Sequence, residues 1–189
     1  MVVVLVAFIG ERLCIMNYHN LTYPDQNNGD GLRVVLWLSG CSHHCKGCQN
    51  PQTWNPNSGI RFDDKAKEEL FRELEKDYIS GITFTGGDPL HEDNVDEVLS
   101  LVYEIKDKYP NKTIWLYSGY TLEQTLHPLK PDIIHVLRST IIKLSDVFVD
   151  GEYIDYLRDV TLKWRGSSNQ RVLDVQESLK QNKVILHCD

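Results

Sequence analysis

The chain has no excess of basic residues: 20 Lys and Arg stand against 27 Asp and Glu, a net charge of −7 over 189 residues. Acids and bases are interspersed rather than blocked, so there is no basic stripe to neutralise a phosphate backbone, and nucleic acid is not an expected partner. A Pro/Ser-rich linker is also missing, and 189 residues suffice for one compact core. Cysteine is scarce and odd in number, five in all, which argues against a disulfide framework and for a reducing, cytoplasmic compartment. Long apolar runs are absent too. Residues 2–9 are apolar throughout, but they are too few to span a bilayer, no basic flank precedes them, and Gly10-Glu11-Arg12 is no cleavage site. They read as a buried or edge strand, or as an extension upstream of a start at Met16. Residues 1–15 are therefore set apart from a single domain over 16–189, and no membrane partner is expected.

What is present is an alternation of strand and helix patterns. Residues 33–39 carry a continuous apolar run, Val34 to Leu38, with β-branched and aromatic members, followed by Ser39 and Gly40; the stretch reads as a buried strand. Ala66, Leu70, Leu74 and Tyr78 recur every four residues after Asp63 or Asp64 as N-cap, which predicts a helix over 63–78. A second strand over 81–85 precedes a helix over 94–109, whose face carries Val95, Val98, Leu99, Val102 and Ile105 and which Pro110 stops. A strand over 113–117, a short helix from Leu122, a longer helix over 133–143 and a strand over 146–149 complete the series; residues 163–189 have no clear period. Repeated β-α units require right-handed crossovers and a mostly parallel sheet, with functional loops at the C-terminal strand ends. Too few strands are readable to close an eight-unit barrel, so the expected fold is an α/β open partial barrel.

Cys41, Cys45 and Cys48 occupy one loop at C-x3-C-x2-C spacing. Three thiolates so placed can hold three irons of a cubane cluster and leave the fourth iron without a protein ligand, open to a small molecule. A structural zinc site would need a fourth ligand, from His43 or His44 within the tight loop or from Cys14, His187 or Cys188 at a distance. An accidental cluster of reduced core cysteines fits poorly with the intervening Ser, His and Lys. Zinc would make the chain an interaction domain without activity; the cubane would make it an enzyme. Gly86-Gly87-Asp88-Pro89 follows the second strand, and a glycine pair there is by itself more often a turn than a clamp. The carboxylate of Asp88 beside exposed backbone adds the means to accept hydrogen bonds from an ammonium group.

With these residues in view, the chain resembles the radical S-adenosylmethionine superfamily, and within it the activating proteins of anaerobic ribonucleoside-triphosphate reductases. The resemblance runs from Met16 to about Val172. It rests on Asn17-Tyr18-His19, Asn28-Gly29-Asp30-Gly31 with Arg33, the cysteine loop, Gly86 to His91, Trp115 with Ser118-Gly119-Tyr120, Val149-Asp150-Gly151, and Trp164-Arg165-Gly166-Ser167-Ser168-Asn169-Gln170. The last block favours the reductase activases over the longer activases of pyruvate formate-lyase.

The resemblance implies an open partial (β/α) barrel of the radical S-adenosylmethionine type. It also implies a [4Fe–4S] cluster on Cys41, Cys45 and Cys48, with S-adenosylmethionine completing the unique iron through its amino and carboxylate groups. Cofactor contacts are expected from Gly47, Cys48 and Gln49, from Gly86 and Gly87, from Asp88 to the ammonium, and in second rank from Ser118 and Asp150. One electron from a flavodoxin-like donor would break the sulfonium C5′–S bond, giving methionine and a 5′-deoxyadenosyl radical. That radical would take a hydrogen from a glycine Cα of the partner reductase. A small-molecule substrate is the enzymatic alternative; the short chain, which leaves little material to wall off a private pocket, speaks against it.

Overall fold

The computed structural model describes residues 16–129 and 131–188. The expectations for residues 2–9 and for Cys14 lie outside the described residues.

Among the described residues, eight strands form one sheet. In chain order the elements are β1 (Asn17–Asp25), β2 (Leu32–Leu38), β3 (Ile60–Arg61), α1 (Asp64–Leu74), β4 (Ile79–Gly86), α2 (Val95–Lys108), β5 (Thr113–Tyr117), α3 (Leu122–Leu126), α4 (Ile133–Leu144), β6 (Val147–Asp150), β7 (Arg171–Asp174), α5 (Val175–Gln181) and β8 (Leu186–Cys188). The strand order is β3-β1-β2-β4-β5-β6-β7-β8. The four central strands β2, β4, β5 and β6 are parallel. β1 and β3 on one side and β7 and β8 on the other run antiparallel to their neighbours. The sheet is thus mixed, with a parallel centre, rather than mostly parallel throughout as expected. The difference comes from the flanks of the sheet: β1 and β2 are joined as a short hairpin, β3 returns to pair with β1, and β7 and β8 add antiparallel beyond β6 after a long loop and across α5.

The period-two alternation of the strands sorts the two faces. Val34, Leu36 and Leu38 of β2, Ile82 and Phe84 of β4, Ile114 and Leu116 of β5 and Phe148 of β6 pack with the buried stripes of α1, α2 and α4 in one large core. The opposite, inner face carries a smaller cluster, Trp115, Val147, Val149 and Val172, with Tyr117, Trp164 and Cys188 against it. Near the N-terminal end of β2 the buried Arg33 guanidinium donates to the Thr83 and Thr113 hydroxyls and to the carbonyls of Asp30, Ile82 and Thr113, and stacks over Trp115. Burial lowers its pKa to about 10. The functional loops lie at the other strand ends.

Local sequence explains the helix boundaries. Asp63 caps α1 by accepting from Ala66 N, and Thr121 and Gln124 form a reciprocal capping box on α3. α1 stops at Leu74 rather than reaching Tyr78, which is solvent-exposed. The chain turns there because Ile79 must enter β4, where it is buried beside Leu32.

Candidate functional site

Each parallel strand ends in one of the loops singled out from the sequence. The cysteine loop follows β2, Gly87-Asp88 follows β4, Ser118-Gly119 follows β5, and Gly151 follows β6. Backbone hydrogen bonds stitch these loops together: Gly87 N to Leu38 O and Asp88 N to Gly40 O, both at 2.8 Å, and Ser118 N to Val149 O at 3.0 Å. Gly86 has φ +91°, a region that disfavours side chains, and a Cβ on Gly87 would lie 2.6 Å from Gly40 O and 2.9 Å from Leu38 O. The glycine pair is therefore what lets the β4 loop lie directly against the start of the cysteine loop.

Cys41, Cys45 and Cys48 are free thiols, each partly exposed. The loop is pinned by Cys41 N to Trp54 O, by Cys48 N to Cys45 O and by Asn50 N to the Cys48 sulfur at 3.3 Å. Burial, then the nearby charge of Asp88, pushes the Cys41 thiol up to about 12. Burial also raises Cys45, against a hydrogen bond from the Tyr153 backbone that favours its thiolate. Without iron these thiols keep their protons, and ligating iron would release them.

Cys45 and Cys48 open onto a cavity of about 340 Å³ on the inner face of the sheet. Its floor includes Trp37, Thr85 and Tyr117, and its far wall is the strap carrying Trp164, Arg165, Gly166 and Gln170. Asn27, Asn28, Gln49 and Asn50 add amide groups. The size suits a nucleoside-bearing ligand, and the aromatic and amide lining offers both faces and polar atoms to one. Trp164 holds φ +63°, rare for an aromatic residue, and both its Nε1 and the Nε of Arg165 are buried without a hydrogen-bond partner. These two donors stand on the cavity wall that also carries Cys45 and Cys48, where a bound polar ligand can accept from them. A cubane fits this donor set, since its thiolates bond to separate irons and need not converge on one point. Among the described residues no three His, Cys, Asp or Glu side chains are grouped to hold a single ion, as a zinc site would require.

Asp88 is buried, and both of its carboxylate oxygens are occupied. Oδ1 accepts from Leu90 N at 2.8 Å; Oδ2 accepts from the Ser118 hydroxyl at 2.9 Å and Gly119 N at 3.3 Å, and pairs with His43 Nε2 at 2.8 Å. His43 Nδ1 lies 3.1 Å from Glu152, and its ring packs edge-on against Tyr120, 4.6 Å between centroids. A Cβ on Gly119 would come within 2.5 Å of that ring. Burial disfavours the charged imidazolium, but the bonds to Asp88 and Glu152 outweigh it and raise the His43 pKa. His43 thus ties the loop between the first two cysteines to the ends of β4 and β6. Its place in this network was not read from the sequence, where it figured only as a zinc ligand.

The remaining candidates fall in different places. Gln49 lines the cavity with Cys48, and Gly47, at φ +76°, sits against the Asp155 carboxylate. Ser118 joins the Asp88 network. Asp150 is buried on the helix side, where it accepts from Leu122 N at 2.8 Å and pairs with Arg171, which also reaches Glu123. The structure thus brings Asp88, Ser118 and the cysteine loop together and turns Asp150 toward α3.

A family model described as "4Fe-4S single cluster domain" matches residues 27–173, a span that contains all of these loops. Curated relatives cover most of the chain and are themselves covered almost entirely. The anaerobic ribonucleoside-triphosphate reductase-activating protein of Escherichia coli K12 is 40% identical over 159 residues, 83% of this chain and 97% of the relative. The protein of the same name from Enterobacteria phage T4 is 41% identical over 157 residues, 83% of this chain and 93% of the relative. That of Vibrio cholerae is 39% identical over 157 residues, 82% and 96% respectively. The chain belongs to the anaerobic ribonucleoside-triphosphate reductase-activating protein family. As a member with a single-cluster 4Fe-4S domain, it has three thiols on one loop and a cavity beside them in place of a closed metal site. No helix among the described residues is long and apolar enough to cross a membrane.

Proposed function

We propose that this protein is a cytoplasmic radical S-adenosylmethionine enzyme that activates an anaerobic ribonucleoside-triphosphate reductase by generating a glycyl radical on it. When bound, the [4Fe–4S] cluster and S-adenosylmethionine supply one-electron reductive cleavage of the sulfonium, with the electron drawn from a flavodoxin-like donor. The observation that carries this reading is the opening of a three-cysteine loop onto a nucleoside-sized cavity, in a chain about two-fifths identical to named activating proteins.

In this reading Cys41, Cys45 and Cys48 hold three irons, and the backbone of residues 47–49 and of Gly86-Gly87 lies along the aminoacyl end of the ligand. Asp88 receives the ammonium, which shares or replaces the His43 contact on Oδ2, while Ser118 keeps the carboxylate aligned. Asp150 acts from behind the sheet by fixing the start of α3 and Arg171. Trp164 and Arg165 close the cavity and exclude water from the reacting centre. The one-sided helical cover and the parallel central strands suit an open partial barrel, whose uncovered rim admits a protein substrate.

The test is anaerobic reconstitution with iron and sulfide, followed by EPR of the reduced protein with and without S-adenosylmethionine. The expected result is a [4Fe–4S]⁺ signal that changes on adding the ligand. Stoichiometric zinc in place of a cluster, or a signal indifferent to the ligand, contradicts the reading.

A further inference from the structure

The segment joining β6 to β7 displays two large apolar side chains to solvent: Tyr156 is 85% exposed and Val160 80%. This exposure is not fraying. The segment is anchored on both sides by Leu157 N to Ile154 O at 3.0 Å, Ser168 N to Leu157 O at 2.9 Å, Asp159 N to Gly166 O at 3.2 Å and Thr161 N to the Asp159 carboxylate at 2.8 Å. A β-bridge between Arg158 and Ser167 adds to these. Nor is the segment remote from the chemistry. Tyr153 and Leu162, which flank Tyr156 and Val160 in the chain, line the cavity beside Cys45 and Cys48. Asp155 lies against Gly47 in the cysteine loop. An anchored loop that holds an aromatic and a branched aliphatic side chain in water, within three residues of the cavity-lining Tyr153 and Leu162, has the composition of an interface anchor awaiting a partner.

We infer that Tyr156 and Val160 form the docking surface for the reductase, seating its glycine-bearing segment over the cavity. The inference rests on the proposed function. The occupant is a protein because the relatives are named as activators of one and because the loop is continuous with the cavity that this protein's substrate must enter. A second exposed apolar group, Ile133 and Val136 on α4, lies on the helical side and provides the control.

The experiment compares the cluster-loaded wild type with the double variant Tyr156→Asp/Val160→Asp and with Ile133→Asp. It measures iron content, S-adenosylmethionine affinity, affinity for purified reductase and glycyl radical yield. The double variant is expected to keep its iron and its ligand affinity while binding reductase about 10- to 100-fold more weakly, with radical yield falling in step. Ile133→Asp should change neither. Undiminished reductase binding by the double variant overturns the inference, as does loss of binding from Ile133→Asp alone. An effect confined to self-association assigns the surface to a second copy of the chain and also overturns it. A wild type that binds reductase through these residues yet makes no radical sinks the reading of the site while leaving the docking surface standing.

Discussion

At the scale of single residues, the site depends on a small number of buried polar contacts. Asp88→Asn removes the charge that holds His43, Ser118 and Gly119 in one network. A buried charge-assisted hydrogen bond is worth about 1.5–3 kcal/mol, so the variant should retain iron, unfold earlier and bind S-adenosylmethionine roughly one to two orders of magnitude more weakly. Calorimetry under anaerobic conditions reads both effects, and unchanged affinity would remove Asp88 from the ligand site. Replacing Cys41, Cys45 or Cys48 singly by Ala should abolish the cluster, whereas Cys188→Ala should leave it, because Cys188 packs with the Trp115 cluster on a different strand. Iron content and visible absorbance decide this. The thiols and Asp88 were legible because their chemistry is local: cysteines at fixed spacing and an acid after a glycine pair. The role of His43 was not, since its two partners lie 45 and 109 residues away and only the folded sheet brings them together.

The elements show the same division between local and long-range information. The central strands and α1, α2 and α4 announced themselves by period, and their caps placed the ends within a few residues, apart from the overlong reading of α1. β7, α5 and β8 did not. Each is short, four, seven and three residues; β7 and β8 are held by strand pairing and α5 by its Asp174 cap and its burial of Val175 and Ser178, rather than by a legible period. Close approach between elements makes Gly87 a sensitive point. Gly87→Ala pushes a methyl onto two carbonyl oxygens and should cost about 1–3 kcal/mol in chemical denaturation, through overpacking rather than loss of any ligand contact. The tie between α3 and β7 predicts an acid limb. The hydrogen bond from Arg171 holds the Glu123 carboxyl down to about 2, below its value in the unfolded chain. Its contribution is therefore fully present above about pH 5 and is lost as pH falls through 2. Glu123 is largely exposed, so solvent screens the effect. Glu123→Gln should flatten the stability profile between those limits, lowering stability slightly near neutrality and leaving it unchanged below about pH 2, as thermal melts across pH would record.

At the scale of the whole molecule, the parallel centre of the sheet gathers four loops at one rim, and the helices cover only the opposite face. In the proposed reading, this arrangement lets one chain build a cluster site and a ligand cavity and still leave an edge for another protein. The alternation of strand and helix patterns foretold the gathering of the loops. The antiparallel flanks and the strap over the cavity were hidden in the unpatterned segments at either end. The central claim is that radical chemistry begun in this cavity ends on another protein, where docking would orient the glycine and shield the reactive centre from water. The direct measurement mixes the reduced, cluster-loaded protein anaerobically with S-adenosylmethionine and purified reductase, and follows 5′-deoxyadenosine together with the carbon-centred EPR doublet. Slow cleavage alone, accelerated by the reductase and accompanied by a glycyl radical on it, is the predicted result. Formation of 5′-deoxyadenosine with a small metabolite, with no protein radical ever appearing on the reductase, would contradict the account.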